Sequence, residues 1–186
     1  MRSFLIYGAD PSPTGAHVVL TRWVEWPDGQ VQLTAALAAE GCIFAEDTLA
    51  VEDPRGVLFS KTNSLLWSQT CFQAGLLAGV HRGGGGAVAI VPPQDARALL
   101  ASMAGSSSVP TKDREVRELL QVVHGQDAFD KPLLCPKRNN KSHGADCPVC
   151  HGSGFKRPAG RLAELTTPHL RDAFLVAQYV AMGGAK

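Results

Sequence analysis

The stretch SFLIYGADPSPTGAHVVLTRWVEW, residues 3–26, constrains what the rest of the chain can be. Residues 3–10 form an apolar run of strand length that closes on Gly8, Ala9 and Asp10, and the turn formers PSPTG follow at once. Residues 16–26 read as a second strand, and PDGQ (27–30) fits a tight turn. The expectation is a β-hairpin whose first strand is central in a sheet and leaves Asp10 exposed at its end. On the far side of the turn, Gln32 to Glu40 is rich in Ala and Leu and reads as a helix, while TLAVED (48–53) reads as a short buried strand delivering Glu52 and Asp53 at its end.

Further along, Ser64 to Val80 reads as a helix in which Ala74, Gly75, Ala78 and Gly79 permit close packing. AVAIVPP (87–93) is a strand closed by two prolines, QDARALLASM (94–103) a short helix, and GSSSVP (105–110) a loop. A helix starting near Thr111 carries Val116, Leu119, Leu120 and Val123 at i, i+3, i+4 and i+7, an amphipathic stripe. From about Phe129 to Gly160 the texture changes to Cys, His, Lys, Asn, Gly and Pro. That segment is expected to be an insertion (129–160) within a single domain spanning 1–186. After it TTPHLRDAFLVAQYVAM resumes a helix, with Thr167 suited to the N-cap and Pro168 to the first helical position. The succession is an α/β layout with acids at strand ends.

Composition narrows the function classes. With 45% hydrophobic and 19% charged residues the chain has the balance of a soluble globular protein, and no apolar run is long enough to span a membrane. The opening residues are too brief an apolar run for a secretory signal, so a cytoplasmic location is expected. A net charge of +1 favours no partner, and nucleic-acid binding would require locally segregated basic residues. Five cysteines, three of them late and clustered, favour metal binding over a disulfide framework.

Asp10 and Glu52 each end a strand, and Asp172 lies one turn after His169 near the start of the last helix. Carboxylates gathered on one sheet edge repel unless hard cations such as Mg²⁺ sit between them. From spacing alone, a turn-capping Asp10 and a first-turn helix acid at 172 account for the same residues. Among the neighbouring acids, Glu46 and Asp47 precede the strand and belong at its far end, so Glu52 is preferred, with Asp53 able to tune it.

Several segments carry a resemblance. YGADPSPTGAHVVL resembles the opening of RuvC-type Holliday-junction resolvases, and LAVEDPRG with TNSLLWSQTCFQAGLLAGV is similar to their second segment, a strand ending in Glu followed by a long helix. AVAIVPPQDAR and TKDREVRELL follow in the order of that family, and HLRDAFLVAQYVA resembles its final motif. The resemblance covers nearly the whole chain apart from 129–160. It implies an RNase H-like fold, with a mixed central sheet flanked by helices, and a divalent-metal site of Asp10, Glu52, His169 and Asp172 holding Mg²⁺ or Mn²⁺. The implied activity is resolution of four-way junctions by symmetric nicking as a homodimer, with the dimer contact on the helix Ser64 to Val80. Most members have an acid where this chain has His169, and the resemblance leaves two roles open for it, metal ligand or proton relay.

Junction binding needs a local basic surface. Lys112, Arg114 and Arg117 supply one at a helix start, extended by Lys61, Arg55, Arg82 and Arg97. Phe59 and Trp67 flank Lys61; a stacking wedge and a core role are both open to them, the core role being preferred for Trp67. A solvated helix face with charges of both signs is the plainer account of each basic residue.

In CPKRNNKSHGADCPVCHGSGF, Cys147 and Cys150 form half of a tetrahedral Zn²⁺ site, Cys135 is the natural third ligand, and His143 is preferred over His151 as the fourth. A closed structural site of this kind would stiffen the loop and let Lys137, Arg138, Lys141, Lys156 and Arg157 reach DNA. The CPVCH string also fits haem attachment, but no export signal accompanies it. A nucleobase deaminase would need H-x-E, which is absent around His143. A thioredoxin-like site would stand early in the chain, and a DnaJ-type zinc region would need more than one repeat. Cys42 and Cys71 read as small core residues. Two alternatives to a resolvase stand: a non-catalytic junction- or DNA-binding module of the same fold, and an RNase H-like nuclease for other branched DNA or RNA–DNA hybrids.

Overall fold

The computed structural model describes residues 1–39, 47–56, 64–136, 147, 153, 155–157 and 159–184. The chain opens with an antiparallel meander, β1 (Arg2–Ser12), β2 (Gly15–Glu25) and β3 (Val31–Ala39). β1 runs two residues past Asp10 before turning, so that Ser12 pairs with Gly15 and Asp10 with His17. Asp10 is therefore not exposed as expected from sequence; it is 9% accessible.

β3 is a second correction, because this Ala- and Leu-rich segment was expected to be helical. Ala favours a helix by less than about 1 kcal/mol per residue, whereas the edge of β2 offers a complete ladder. The turn at 26–30, closed by Trp26 N donating to Gln30 O at 2.8 Å, sends the chain back along it. An irregularity in register, where Trp23 pairs with Leu33 but Arg22 with Ala35, brings Leu33 and Ala36 into the same core. Three residues apart, they imitate helical spacing while lying in a bulged strand.

β4 (Thr48–Glu52) and β5 (Ala87–Val91) add in parallel to give a five-stranded mixed sheet of order β3-β2-β1-β4-β5. Between them α1 (Ser64–Gly83) packs on one face, over Tyr7, Ala9, Leu49 and Val51. The other face carries α2 (Pro93–Met103), α3 (Asp113–His124) and α4 (Pro168–Ala181), and holds the main core around Trp23, Leu100, Leu120 and Phe174. Strand alternation divides the two faces: in β1, Ile6 joins the main core while Tyr7 and Ala9 face α1.

Two devices seat α4. Thr167 Oγ1 accepts from Leu170 N at 3.2 Å as the N-cap, and Pro168 opens the helix. Gly8 then allows close approach, since a Cβ built there would lie 1.8 Å from the carbonyl oxygen of Ala173. Asp172, adjacent to that carbonyl, is thereby carried down to β1. Buried Arg171 fixes the neighbouring helix: Nε and Nη2 donate to Asp113 at 2.8 Å each and Nη1 to Leu165 O at 2.7 Å.

Within 129–160 the described residues include a small hairpin, β6 (Leu133–Leu134) with β7 (Phe155–Arg157). Two other sequence expectations change. Trp67 is only half-buried, donating from Nε1 to Pro54 O at 3.3 Å. Cys71 is half-buried on α1, belongs to neither core cluster, and lines a surface groove with Ala74 and Ile90. Cys42 lies outside the described residues. Among the described residues no helix is long and apolar enough to cross a membrane.

Candidate metal centre

Ala9 and Val51 are level in the parallel β1–β4 pair, so Asp10 and Glu52, the next residues along, leave the same sheet edge together. Both lie on the α4 face, because their predecessors Ala9 and Val51 face α1. α4 brings Asp172 to them from above, and one carboxylate oxygen from each of Asp10, Glu52 and Asp172 lies within 4.8 Å of the others. Hard oxygen donors at this spacing suit Mg²⁺ or Mn²⁺.

The electrostatics point the same way. Burial, reinforced by the charges of Asp10 and Asp172 and opposed by Arg97, pushes Glu52 up to about 8. Burial also raises Asp10, against the hydrogen bond and charge of His169. Three carboxylates this close cannot all ionise cheaply without a cation or a shared proton.

The fourth expected site residue stands beside this triad. His169 Nδ1 lies 2.7 Å from Asp10 Oδ2, and its side chain is 58% accessible. Two residues not singled out for the site from sequence complete the surroundings. His17, opposite Asp10 in β2, stacks on His169 with ring centroids 4.7 Å apart and planes 8° from parallel. Arg97, expected only as part of a basic surface, donates from Nη2 to Asp172 Oδ1 at 2.9 Å and from Nη1 to Thr111 O at 3.5 Å. Its buried Nε has no hydrogen-bond partner among the described residues. It lines a cleft of about 340 Å³ between Glu52, Pro93 and Thr111. The register of a two-residue turn was the available signal for His17; nothing local to Arg97 announced its partner.

The basic residues at the start of α3 divide. Lys112 is the exposed N-cap residue, Arg114 donates to Glu118 at 2.8 Å, and the Arg117 guanidinium sits 5.2 Å from the centre of the Phe129 ring. Arg55 is paired with Asp53 at 2.9 Å, which holds that carboxyl below its ordinary range, and Arg82 is exposed at the end of α1. Lys61 and Phe59 lie outside the described residues. Of the expected zinc ligands, Cys135 and Cys147 are both buried, with Sγ atoms 3.8 Å apart, and Cys150, His143 and His151 lie outside the described residues.

Comparison with known proteins gives a likeness of fold. No protein-family model matches the chain, and no curated protein matches it in sequence. Among solved structures, Thermus thermophilus RuvC in complex with Holliday junction substrate is 15% identical, with a TM-score of 0.51, the match covering 98% of this chain and 99% of that one. A second Thermus thermophilus RuvC structure is 16% identical, with a TM-score of 0.46 over 98% of this chain and 99% of that one. The mixed sheet and its flanking helices are thus those of a RuvC-like, RNase H-like fold.

Proposed function

We propose that this chain is a metal-dependent, structure-selective DNA endonuclease that resolves four-way junctions by paired nicks as a homodimer. The observation that carries the reading is the triad of Asp10, Glu52 and Asp172, gathered from three elements to within 4.8 Å on a fold shared with RuvC in complex with a junction.

Mg²⁺ or Mn²⁺ held by these carboxylates would supply Lewis acidity toward the phosphodiester and a water acidified enough to attack it. The residues themselves do the rest. Arg97 holds one oxygen of Asp172 and offsets part of the negative charge of the cluster. His169, with Nδ1 engaged by Asp10, has Nε2 left to accept or return a proton. Asp53 stays occupied with Arg55 and outside the triad.

DNA would lie across the start of α3. Arg97 ties the carbonyl of Thr111, just before α3, to Asp172 of the metal centre. The Arg114–Glu118 pair is exposed, and such pairs are held too weakly to compete with a phosphate. Lys112, Arg114, Arg117 and Lys61 are assigned to phosphate contacts. Self-association is assigned to α1, whose Leu65, Phe72, Leu76 and Val80 share one helical stripe and are each about half or more exposed.

A structural zinc is assigned to Cys135, Cys147, Cys150 and His143. Two thiolates at tetrahedral positions on one Zn²⁺, each about 2.3 Å from it, stand roughly 3.8 Å apart, and Cys135 and Cys147 fit that spacing. Zinc bound there would cross-link the hairpin loop.

The test is cleavage of a labelled immobile junction beside a linear duplex, a fork and an RNA–DNA hybrid, with Mg²⁺, Mn²⁺ or EDTA. Paired symmetric nicks in the junction alone, lost in EDTA, are expected. Equal cutting of the hybrid or fork would replace resolvase with a broader nuclease. Tight junction binding without cleavage would replace it with a binding module, and His169→Asp would then be the first change to make.

A further inference from the structure

We propose that His17 is a positioning residue for His169. Its stacked imidazole holds the His169 ring in the plane in which Nδ1 meets Asp10 and Nε2 is left for proton transfer. This rests on the reading of the triad as a nuclease centre.

Three elements converge to make the contact. The turn joining β1 and β2 pairs Asp10 with His17, and directly opposed residues on antiparallel strands point to the same face. That face is the one on which α4 lies. From the first turn of α4, His169 descends to hydrogen-bond Asp10 at 2.7 Å and to lie flat on His17, 4.7 Å between centroids and 8° between planes.

The stack matters because of how little else holds His169. Its side chain is 58% accessible, whereas Asp10 beside it is 12% accessible. One hydrogen bond fixes the position of Nδ1 but leaves the ring free to rotate about that contact. A second contact over the ring face removes the rotation and so fixes where Nε2 points. A proton-transfer atom must be held within a few tenths of an ångström of its target, so loss of this constraint lowers the rate more than the binding. The same β2 position could instead serve through its own nitrogens, on the DNA or on a cation. A ring without nitrogens separates the two.

The experiment compares wild type, His17→Ala and His17→Phe as full-length proteins. Two readings are taken: ring-¹⁵N NMR of His169, metal-free and with Mg²⁺, and kcat and KM for junction cleavage. In wild type one sharp set of His169 ring resonances is expected, from a ring held both by Asp10 and by the stack. In His17→Ala the His169 ring resonances broaden and shift as the ring gains rotation about its contact with Asp10, and kcat falls about ten-fold with KM unchanged, while His17→Phe restores both to within about two-fold of wild type. The proposal is overturned if His17→Ala leaves the His169 spectrum unchanged, or if His17→Phe is as impaired as His17→Ala. If wild type cleaves nothing while the NMR contrast among the three proteins holds, the nuclease reading fails and the positioning role stands.

Discussion

Asp10 touches His169 at 2.7 Å and has Glu52 and Asp172 within 4.8 Å, so its charge is central to the cluster while its volume is ordinary. Asp10→Asn preserves shape and removes a cation ligand. Cleavage should fall by at least about 10³-fold, with junction affinity within a few-fold of wild type by gel shift. Glu52 gives a pH signature. Its folded-state value is about 8 against 4.5 ordinarily, so between those limits the folded metal-free protein holds a proton that the unfolded chain releases. Stability must therefore fall as pH rises across that window. Glu52→Gln, which cannot ionise, should lose that slope, the difference in melting temperature growing to several °C by pH 9. Mg²⁺ should raise the melting temperature of wild type and not of this variant. A slope common to both proteins would mean that Glu52 is not the group responsible.

At the scale of elements, α4 was the most legible part of the chain. Thr167, Pro168 and the apolar run after Arg171 mark a capped helix, and the structure has it from Pro168 to Ala181. Strands β1, β4 and β5 were equally plain as apolar runs of strand length bounded by turn formers or proline, although β1 continues two residues beyond Asp10. β3 was not, because a bulge placed Leu33 and Ala36 at an interval that strands do not ordinarily show. Side-chain partners far apart in sequence were also out of reach. Asp10 could be placed at a strand end, but Arg97 against Asp172 and Arg171 against Asp113 are products of helix packing, with no local trace. The Arg171–Asp113 pair joins α4 to the start of α3, and its arginine is buried to 7% accessibility. Asp113→Ala leaves that charge unpaired and should cost about 3 kcal/mol in urea unfolding. A loss near zero would mean that Leu165 O and water suffice for Arg171.

At the scale of the whole molecule, the sheet is unevenly clothed among the described residues: α2, α3 and α4 lie on one face, and α1 on the other with Phe72 and Leu76 turned outward. A double change, Phe72→Glu with Leu76→Glu, should convert a dimer to a monomer in sedimentation velocity. The paired nicks should become single while the melting temperature of the monomer holds. A wild type already monomeric at micromolar concentration would remove the dimer from the proposal. Zinc offers an independent check, since Cys147→Ser or a zinc chelator should lower stability or junction affinity and leave Mg²⁺ dependence unchanged. Unchanged melting and binding would remove the structural zinc.

Gly8 bears on how this chain can change over time. Core residues drift in pairs, one growing as its neighbour shrinks, because the obstacle each meets is another side chain. At position 8 the obstacle is the main-chain carbonyl of Ala173, which no substitution can shrink. No compensating partner exists, so a descendant of this chain either keeps glycine there or must move α4 as a whole, and Asp172 with it.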